Sequence, residues 1–230
     1  MSLIDWHDTE CGGYSADLAL WRELAGRGPV LDVGAGTGRV ALDLAARGLS
    51  VTALDLEAEL LAELERRAAA MGLAVETVAG DAAGFDLRRR FAAILLPMQT
   101  VQLLPERAGF FHSARRHLAP GGVVALAIAT ELEFFDAFAG PLPPPDVLER
   151  DGRRYSSQPV AVRPGPAAAR IERLRRVDDG PAIRDVLLLA TVTPDALEAE
   201  GASAGLRPGR RRQIPPTPDH VGSTVVVLHG

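Results

Sequence analysis

Three aspartates come at the ends of three apolar runs in the first half of the sequence. Asp32 lies in V-L-D-V-G-A-G-T-G-R-V (residues 30–40), Asp55 ends S-V-T-A-L-D, and Asp81 follows L-A-V-E-T-V-A. A carboxylate accepts hydrogen bonds from hydroxyl and amino groups and attracts cations. If the runs are parallel strands, these aspartates meet at the carboxyl edge of one sheet, where ligands bind. The sequence therefore predicts a polar ligand site at that edge.

Glycines follow the first apolar run at intervals of two, at Gly34, Gly36 and Gly38. Glycine permits positive φ and a close approach of the backbone, and the next helix would present free N–H groups. A dinucleotide-binding loop has its third glycine three residues after the second, where this chain has Arg39. A carboxylate at Asp32 would also repel a pyrophosphate, whereas it suits an ammonium or sulfonium group. We therefore expect a ligand with positive charge beside this loop.

The elements that position these residues are predicted from an alternation of apolar runs and helix-like segments. This pattern indicates parallel strands joined by right-handed crossovers. The predicted strands cover residues 29–33, 50–55, 73–79, 91–96 and 122–129, and the predicted helices cover 38–46, 57–71 and 105–118.

The alternation breaks after residue 140, at the stiff connector P-L-P-P-P. Three candidate strands, separated by R-P-G-P and D-D-G-P, predict a small antiparallel insertion. The sequence before residue 28 predicts a loose arm followed by a helix over 15–25. We expect one domain, divided into the arm and helix (1–27), a ligand-binding core (28–140), the insertion (141–192), and a last helix with two final strands (193–230). The predicted elements after the connector are strands over 155–162, 168–177 and 183–192, a helix over 194–204, and strands over 206–214 and 221–228.

The motifs V-L-D-V-G-A-G-T-G, A-L-D-L and G-D-A resemble motif I, the ribose-binding acid and the adenine-side motif of class I S-adenosylmethionine-dependent methyltransferases. The resemblance covers roughly residues 15–130 and 194–228. It implies an α/β fold, a Rossmann-like three-layer sandwich whose seven-stranded, mostly parallel sheet has an antiparallel last strand. The small β insertion is added to that sandwich. The resemblance also implies S-adenosylmethionine as cofactor and methyl transfer as activity.

The same resemblance implies a role for each matching residue. Asp32, Gly34 and Gly36 would surround the methionine part of the cofactor, with the rest of the loop, Ala35 and Gly38, in the same site. Asp55 would hold the ribose hydroxyls, Leu56 would pack against the adenine, and Asp81 with Ala82 would meet the edge of the adenine.

The loop after the fourth predicted strand should face the methyl acceptor, and it contains L-L-P-M-Q-T-V-Q-L-L. It lacks the D/N-P-P-Y pattern with which nucleobase and glutamine methyltransferases hold a planar amide or amino group. The loop is more similar to those of small-molecule methyltransferases, including sugar N-methylating and glycine-methylating groups. We therefore expect transfer to N or O of a small molecule by in-line displacement. Gln99 would lie beside the donor methyl group, or would satisfy loop backbone.

Two more candidate catalytic residues lie outside that loop. The turn between the last two strands opens on the same edge of the sheet as the cofactor crevice, so His220 is a candidate base. The alternative for His220 is a plain turn residue. Tyr14, in the arm, is the residue there that we expect to close over the site, together with Trp6 and His7.

Composition excludes several other chemistries and partners. All 25 basic residues are arginine, so a P-loop lysine and a Schiff base are absent. The net charge of -5 argues against a dedicated nucleic-acid partner. The single cysteine, Cys11, permits neither an intramolecular disulfide nor a cysteine-rich metal site, and we expect no bound metal. No segment is apolar enough for a membrane span, so we expect a cytoplasmic protein that acts on a small molecule and that can form a homodimer.

Two other functions compete with methyl transfer. One is an NAD(P)-dependent reductase on a similar sheet, which Asp32, Arg39 and the missing lysine disfavour. The other is a non-catalytic module that binds S-adenosylmethionine or S-adenosylhomocysteine and has no acceptor pocket.

Overall fold

Strands and helices alternate along the first half of the chain in the computed structural model, which describes residues 2–138, 140–217 and 220–230. The helices are α1 (Leu3–His7), α2 (Leu18–Ala25), α3 (Arg39–Ala45), α4 (Ala58–Ala70), α5 (Thr100–Leu103), α6 (Ala108–His117) and α7 (Pro194–Ser203). The strands are β1 (Val30–Val33), β2 (Val51–Asp55), β3 (Val75–Ala79), β4 (Phe91–Leu96), β5 (Leu118–Ile128), β6 (Phe135–Asp136), β7 (Asp146–Arg150), β8 (Arg153–Arg163), β9 (Ala168–Val177), β10 (Ile183–Ala190), β11 (Arg207–Pro208), β12 (Arg212–Ile214) and β13 (Ser223–His229).

The main sheet has the strand order β3-β2-β1-β4-β5-β13, and β11 and β12 both pair with β13 at its outer edge. Strands β1 to β5 are parallel, whereas β13 is antiparallel to β5. The predicted fold class is thus confirmed. The seventh place is filled by two short strands rather than by one strand over 206–214. Pro208 lacks the N–H group that a continuous ladder needs, and it ends β11.

The main sheet is covered on both faces, which makes three layers. One face carries α2, α3 and α4, with Trp21, Leu44 and Leu64 fully buried. The other face carries α6 and α7, with Phe110, Phe111 and Leu197 fully buried. Double coverage explains why β1 and β4 are almost continuously apolar instead of alternating.

The insertion, together with β6 just before it, forms a second, antiparallel sheet, called here the inserted sheet, with strand order β10-β9-β8-β6 and with β7 paired to another part of β8. The three predicted strands correspond to β8, β9 and β10. The structure adds β6 and β7, which sequence analysis missed. β6 has only two residues, and β7 follows the proline connector closely.

The N-terminal arm (residues 2–14) is helical, which corrects the prediction of a loose arm. Ser2 caps α1 by accepting a hydrogen bond from Ile4 N at 3.2 Å, and a π-helical turn over Asp8–Gly12 continues it. α2 begins at Leu18, three residues later than predicted. Among the described residues, no helix is long and apolar enough to cross a membrane.

Candidate functional site

The glycine loop (residues 34–38) joins β1 to α3 at the carboxyl edge of the main sheet. Gly34 has φ 71° and Gly36 has φ 55°, a region that other residues rarely adopt. A Cβ at Gly34 would overlap Thr100, and a Cβ at Gly36 would overlap the ring of His7. These glycines are therefore required by the backbone path and by side chains that close on the loop.

Asp55 ties the glycine loop to the end of β2. Its Oδ2 accepts a hydrogen bond from Gly36 N at 2.7 Å, and its Oδ1 accepts one from Glu57 N at 2.9 Å. The carboxylate is only partly buried, and each oxygen keeps a second lone pair. Asp55 can thus hold the loop and still accept hydrogen bonds from two neighbouring hydroxyl groups.

Asp32 is a buried carboxylate beside the same loop. It is 1 % exposed, and neither carboxylate oxygen has a hydrogen-bond partner among the described residues. Burial raises the pKa of Asp32 to about 7, against the smaller lowering effect of Arg39. Arg39 is already engaged by Asp17, with Nη2 2.8 Å from Oδ2. An uncompensated acid at this place favours a cationic ligand, as S-adenosylmethionine is.

The expected adenine side lies at the ends of β2 and β3. Leu56, directly after Asp55, is an apolar side chain that is 68 % exposed. Asp81 is exposed, and its Oδ1 accepts a hydrogen bond from Ala83 N at 2.7 Å, which is the geometry of a turn. Ala82 is partly buried beside it. The exposed side chain of Leu56 suits the face of an aromatic ring, and the carboxylate of Asp81 can accept a further hydrogen bond from the polar edge of that ring.

Two of the three candidate catalytic residues are in direct contact. The rings of Tyr14 and His220 stack, with centroids 4.6 Å apart and planes inclined by 30°. Burial, and then Asp17, raise the pKa of Tyr14, and Arg39 opposes this. The arm and the turn before β13 therefore meet. Pro218 and Asp219 of that turn lie outside the described residues.

Gln99, the third candidate, lies in the loop after β4, at the centre of the carboxyl edge. Its Nε2 donates to Ser223 Oγ at 3.2 Å, which places it near the beginning of β13. Met98 and Gln99 both have positive φ, 47° and 59°. Such backbone strain is concentrated at functional sites, because surrounding structure must hold it in place.

Gln102, on α5, is a connecting residue that sequence analysis missed. Its buried amide accepts a hydrogen bond from Ala129 N at 2.7 Å and donates to Ala190 O at 2.8 Å. It therefore fastens the end of β5 to the end of β10. No spacing signal distinguishes it from Gln99 in the same loop.

Asp8 is missing from the expected site residues, whereas His7 was expected as one of the arm residues that close over the site. His7 covers Gly36, and Asp8 accepts a hydrogen bond from Thr37 Oγ1 at 2.7 Å. The arm segment D-W-H-D-T-E shows no periodicity or glycine that would indicate this role.

Two clefts are lined by residues outside the glycine loop. One, of about 620 Å³, is at the amino ends of β2 and β3, opposite the edge where the aspartates meet. The other, of about 880 Å³, lies between the arm, α4 and β7 and is lined by charged side chains that include Asp8 and Arg150.

Comparisons with known proteins agree with this geometry. Residues 30–122 match the family described as "Methyltransferase domain". No curated protein matches the chain significantly in sequence. The chain is similar in structure to the glycopeptide N-methyltransferase MtfA, solved with S-adenosylmethionine, at 29% identity over 94% of this chain and 95% of that one, with a TM-score of 0.61.

Two other solved structures are similar along nearly the whole chain. DesVI from Streptomyces venezuelae has 26% identity, covers 98% of both chains and gives a TM-score of 0.71. The sugar N-methyltransferase KedS8 from Streptoalloteichus sp ATCC 53650 has 22% identity and a TM-score of 0.77. The match covers 98% of this chain and 92% of that one. The similarity thus includes the inserted sheet as well as the glycine loop.

Proposed function

We propose that this chain, a class I S-adenosylmethionine-dependent methyltransferase of the small-molecule type, methylates an amino group on a sugar-containing acceptor. The observation that carries the acceptor class is the inserted sheet, which is included in the similarity to a glycopeptide N-methyltransferase and a sugar N-methyltransferase. The loop after β4 supports it, because L-L-P-M-Q-T lacks the pattern that holds planar amides and nucleobases.

The cofactor, when bound, supplies an electrophilic methyl group on its sulfonium. The carboxyl group of Asp32 has no hydrogen-bond partner among the described residues, and that cation would stabilise its charged form. Asp55 has lone pairs free for the ribose hydroxyls. Exposed Leu56 offers an apolar surface for the adenine. The residues that we assign to this site are Asp32, Gly34, Ala35, Gly36, Gly38, Asp55, Leu56, Asp81 and Ala82.

The acceptor side is assigned to Gln99, Tyr14 and His220. An amine attacks only as the neutral base, so its proton must leave before or during the in-line displacement. We assign the uptake of that proton to a ring nitrogen of His220, whose ring is oriented by stacking on Tyr14. We assign the positioning of the acceptor to the amide of Gln99, and its location in the loop after β4 with a strained backbone supports this.

Other parts of the assignment concern the whole protein. We propose one domain, with the insertion over 141–192 acting on the acceptor side. We also propose that the protein forms a homodimer. We propose no nucleic-acid partner, which the net charge of -5 supports. A cytoplasmic location is supported by a single cysteine, Cys11, which permits no intramolecular disulfide.

The test is a panel of amino sugars, each paired with the same sugar carrying hydroxyl in place of the amine. Mass spectrometry after incubation with S-adenosylmethionine should show a methyl gain on amines only, and His220→Ala should lower kcat. Methylation of the hydroxyl partners alone would contradict the N-acceptor, and full kcat in His220→Ala at every pH would remove it as base.

A further inference from the structure

One buried aspartate, Asp8, connects the arm to three other parts of the molecule. Asp8 is 7 % exposed. It accepts a hydrogen bond from Thr37 Oγ1 at 2.7 Å and forms ion pairs with Arg67 and Arg150. Thr37 belongs to the glycine loop, Arg67 to α4 and Arg150 to β7. A single carboxylate therefore joins the arm to the cofactor loop, the core and the inserted sheet.

The charge of Asp8 is well compensated. Burial alone would raise its pKa, but hydrogen bonds from His7, Arg67, Arg150 and Thr37 outweigh burial and hold the pKa well below its usual range. Asp8 is therefore ionised at neutral pH. Removing one partner from a buried charge pair leaves the other uncompensated, which is costly.

His7, next to Asp8, is the part of the arm that covers the cofactor loop. Its ring occupies the position that a Cβ on Gly36 would take. Thr37 donates its hydroxyl proton to Asp8, so its 3.4 Å contact with His7 Nδ1 requires Nδ1–H to be the donor. The hydrogen-bond network thus assigns a proton to Nδ1 of His7, and Nε2 faces the glycine loop.

The arm also packs on the inserted sheet through contacts separate from Asp8. Trp6 meets Tyr155 edge to face, with ring centroids 5.6 Å apart, and Arg175 lies over the Trp6 ring. Glu10 binds the same Arg175, with Oε1 2.8 Å from Nε. The arm therefore packs against both the glycine loop and the inserted sheet.

We propose that Asp8 is a positioning residue that holds His7 over the glycine loop. Through the ion pair of Asp8 with Arg150, the inserted sheet then slows dissociation of the cofactor. The proposal rests on the assignment of the glycine loop as cofactor site and is independent of the acceptor. Cofactor leaves when the arm opens, and opening breaks the contacts of Asp8 with Thr37, Arg67 and Arg150.

The experiment measures S-adenosylhomocysteine binding to the full-length protein by stopped-flow tryptophan fluorescence, which gives kon and koff separately. Trp6 lies in the arm and reports its environment, and a Trp6→Phe variant identifies its share of the signal. The variants are Asp8→Asn and Arg150→Ala. Arg163→Ala is the matched control, because it also removes an inserted-sheet arginine from acidic partners, Asp136 and Glu172.

We expect koff to rise about tenfold in Asp8→Asn, since an arm that has lost its buried ion pairs opens more often, and severalfold in Arg150→Ala. Arg163→Ala should match the wild type. If Asp8→Asn does not fold, Arg150→Ala decides the matter alone. Unchanged koff in Arg150→Ala, or tighter binding from a faster kon, would overturn the proposed role of Asp8. The assignment of the glycine loop as the cofactor site would then remain valid. Absence of binding to the wild-type protein would overturn both.

Discussion

The cofactor edge and the arm with its inserted sheet are built in different ways. At the cofactor edge, Asp55 binds the backbone of Gly36, only 19 residues away in sequence. Between the arm and the inserted sheet, long side chains pair over great separations, 142 residues for Asp8 with Arg150 and 165 for Glu10 with Arg175. One region uses backbone groups and short acids, and the other uses arginine ion pairs.

This difference determines what a sequence reveals. In a parallel sheet the strand ends meet at one edge, so three aspartates after three apolar runs locate a site without further information. An ion pair has no such rule, because any of the 25 arginines can pair with any of the 30 acids. The two regions also differ in charge, since Asp32 is uncompensated while Asp8 and Glu10 each meet arginines.

The largest expected effect is the pH dependence of the free energy of unfolding that Asp32 causes at the cofactor edge. The pKa of Asp32 is raised from 3.8 to about 7 in the folded protein. Between these values the unfolded state has lost the proton and the folded state keeps it, so the free energy of unfolding falls as pH rises from about 4 to 7. The loss is on the order of 4 kcal/mol.

Asp32→Asn should remove that slope. Urea unfolding at pH 4, 6 and 8 should show that the free energy of unfolding of the variant increases relative to that of the wild type as pH rises. Parallel pH profiles of the two proteins would mean that Asp32 is compensated.

The second effect concerns ligand binding at the cofactor edge. Asp55→Ala should weaken S-adenosylhomocysteine about a hundredfold or more, since each hydrogen bond to a carboxylate contributes about 1.5–3 kcal/mol. Calorimetric titration measures it. Asp178→Ala is the control, because Asp178 also accepts a backbone hydrogen bond, from Arg154 N at 2.8 Å, but in the inserted sheet. Equal affinity in Asp55→Ala and Asp178→Ala would mean that the site has been misplaced.

The smallest effect should have the opposite pH sign, in the arm. Burial would raise the pKa of Glu10, but hydrogen bonds from Arg175 and Ser157 and the nearby charge of Arg173 lower it overall. Its stabilisation is therefore present above the unfolded pKa and lost as pH falls through the folded pKa. Glu10→Gln should cost about 1–3 kcal/mol at pH 7 and clearly less at pH 3, below the unfolded pKa. A constant cost at both values would argue against the charge pairing.

The sequence predicted the main sheet because its strands are buried on both faces and separated by clear helix signals. It missed the helical arm, since D-W-H-D-T-E-C-G-G has no apolar periodicity and its order comes from partners such as Arg67 and Arg150. Tyr14 and His220 were predicted separately, and their stacking is a tertiary contact. Gln102 was missed because its partners, Ala129 and Ala190, are backbone groups of distant strands.

The most direct test of the account is calorimetric titration of the wild-type protein with S-adenosylhomocysteine and, separately, with NADPH. The uncompensated Asp32 and the spacing of the glycine loop predict saturable binding of S-adenosylhomocysteine and none of NADPH. Tight NADPH binding without S-adenosylhomocysteine binding would contradict the account.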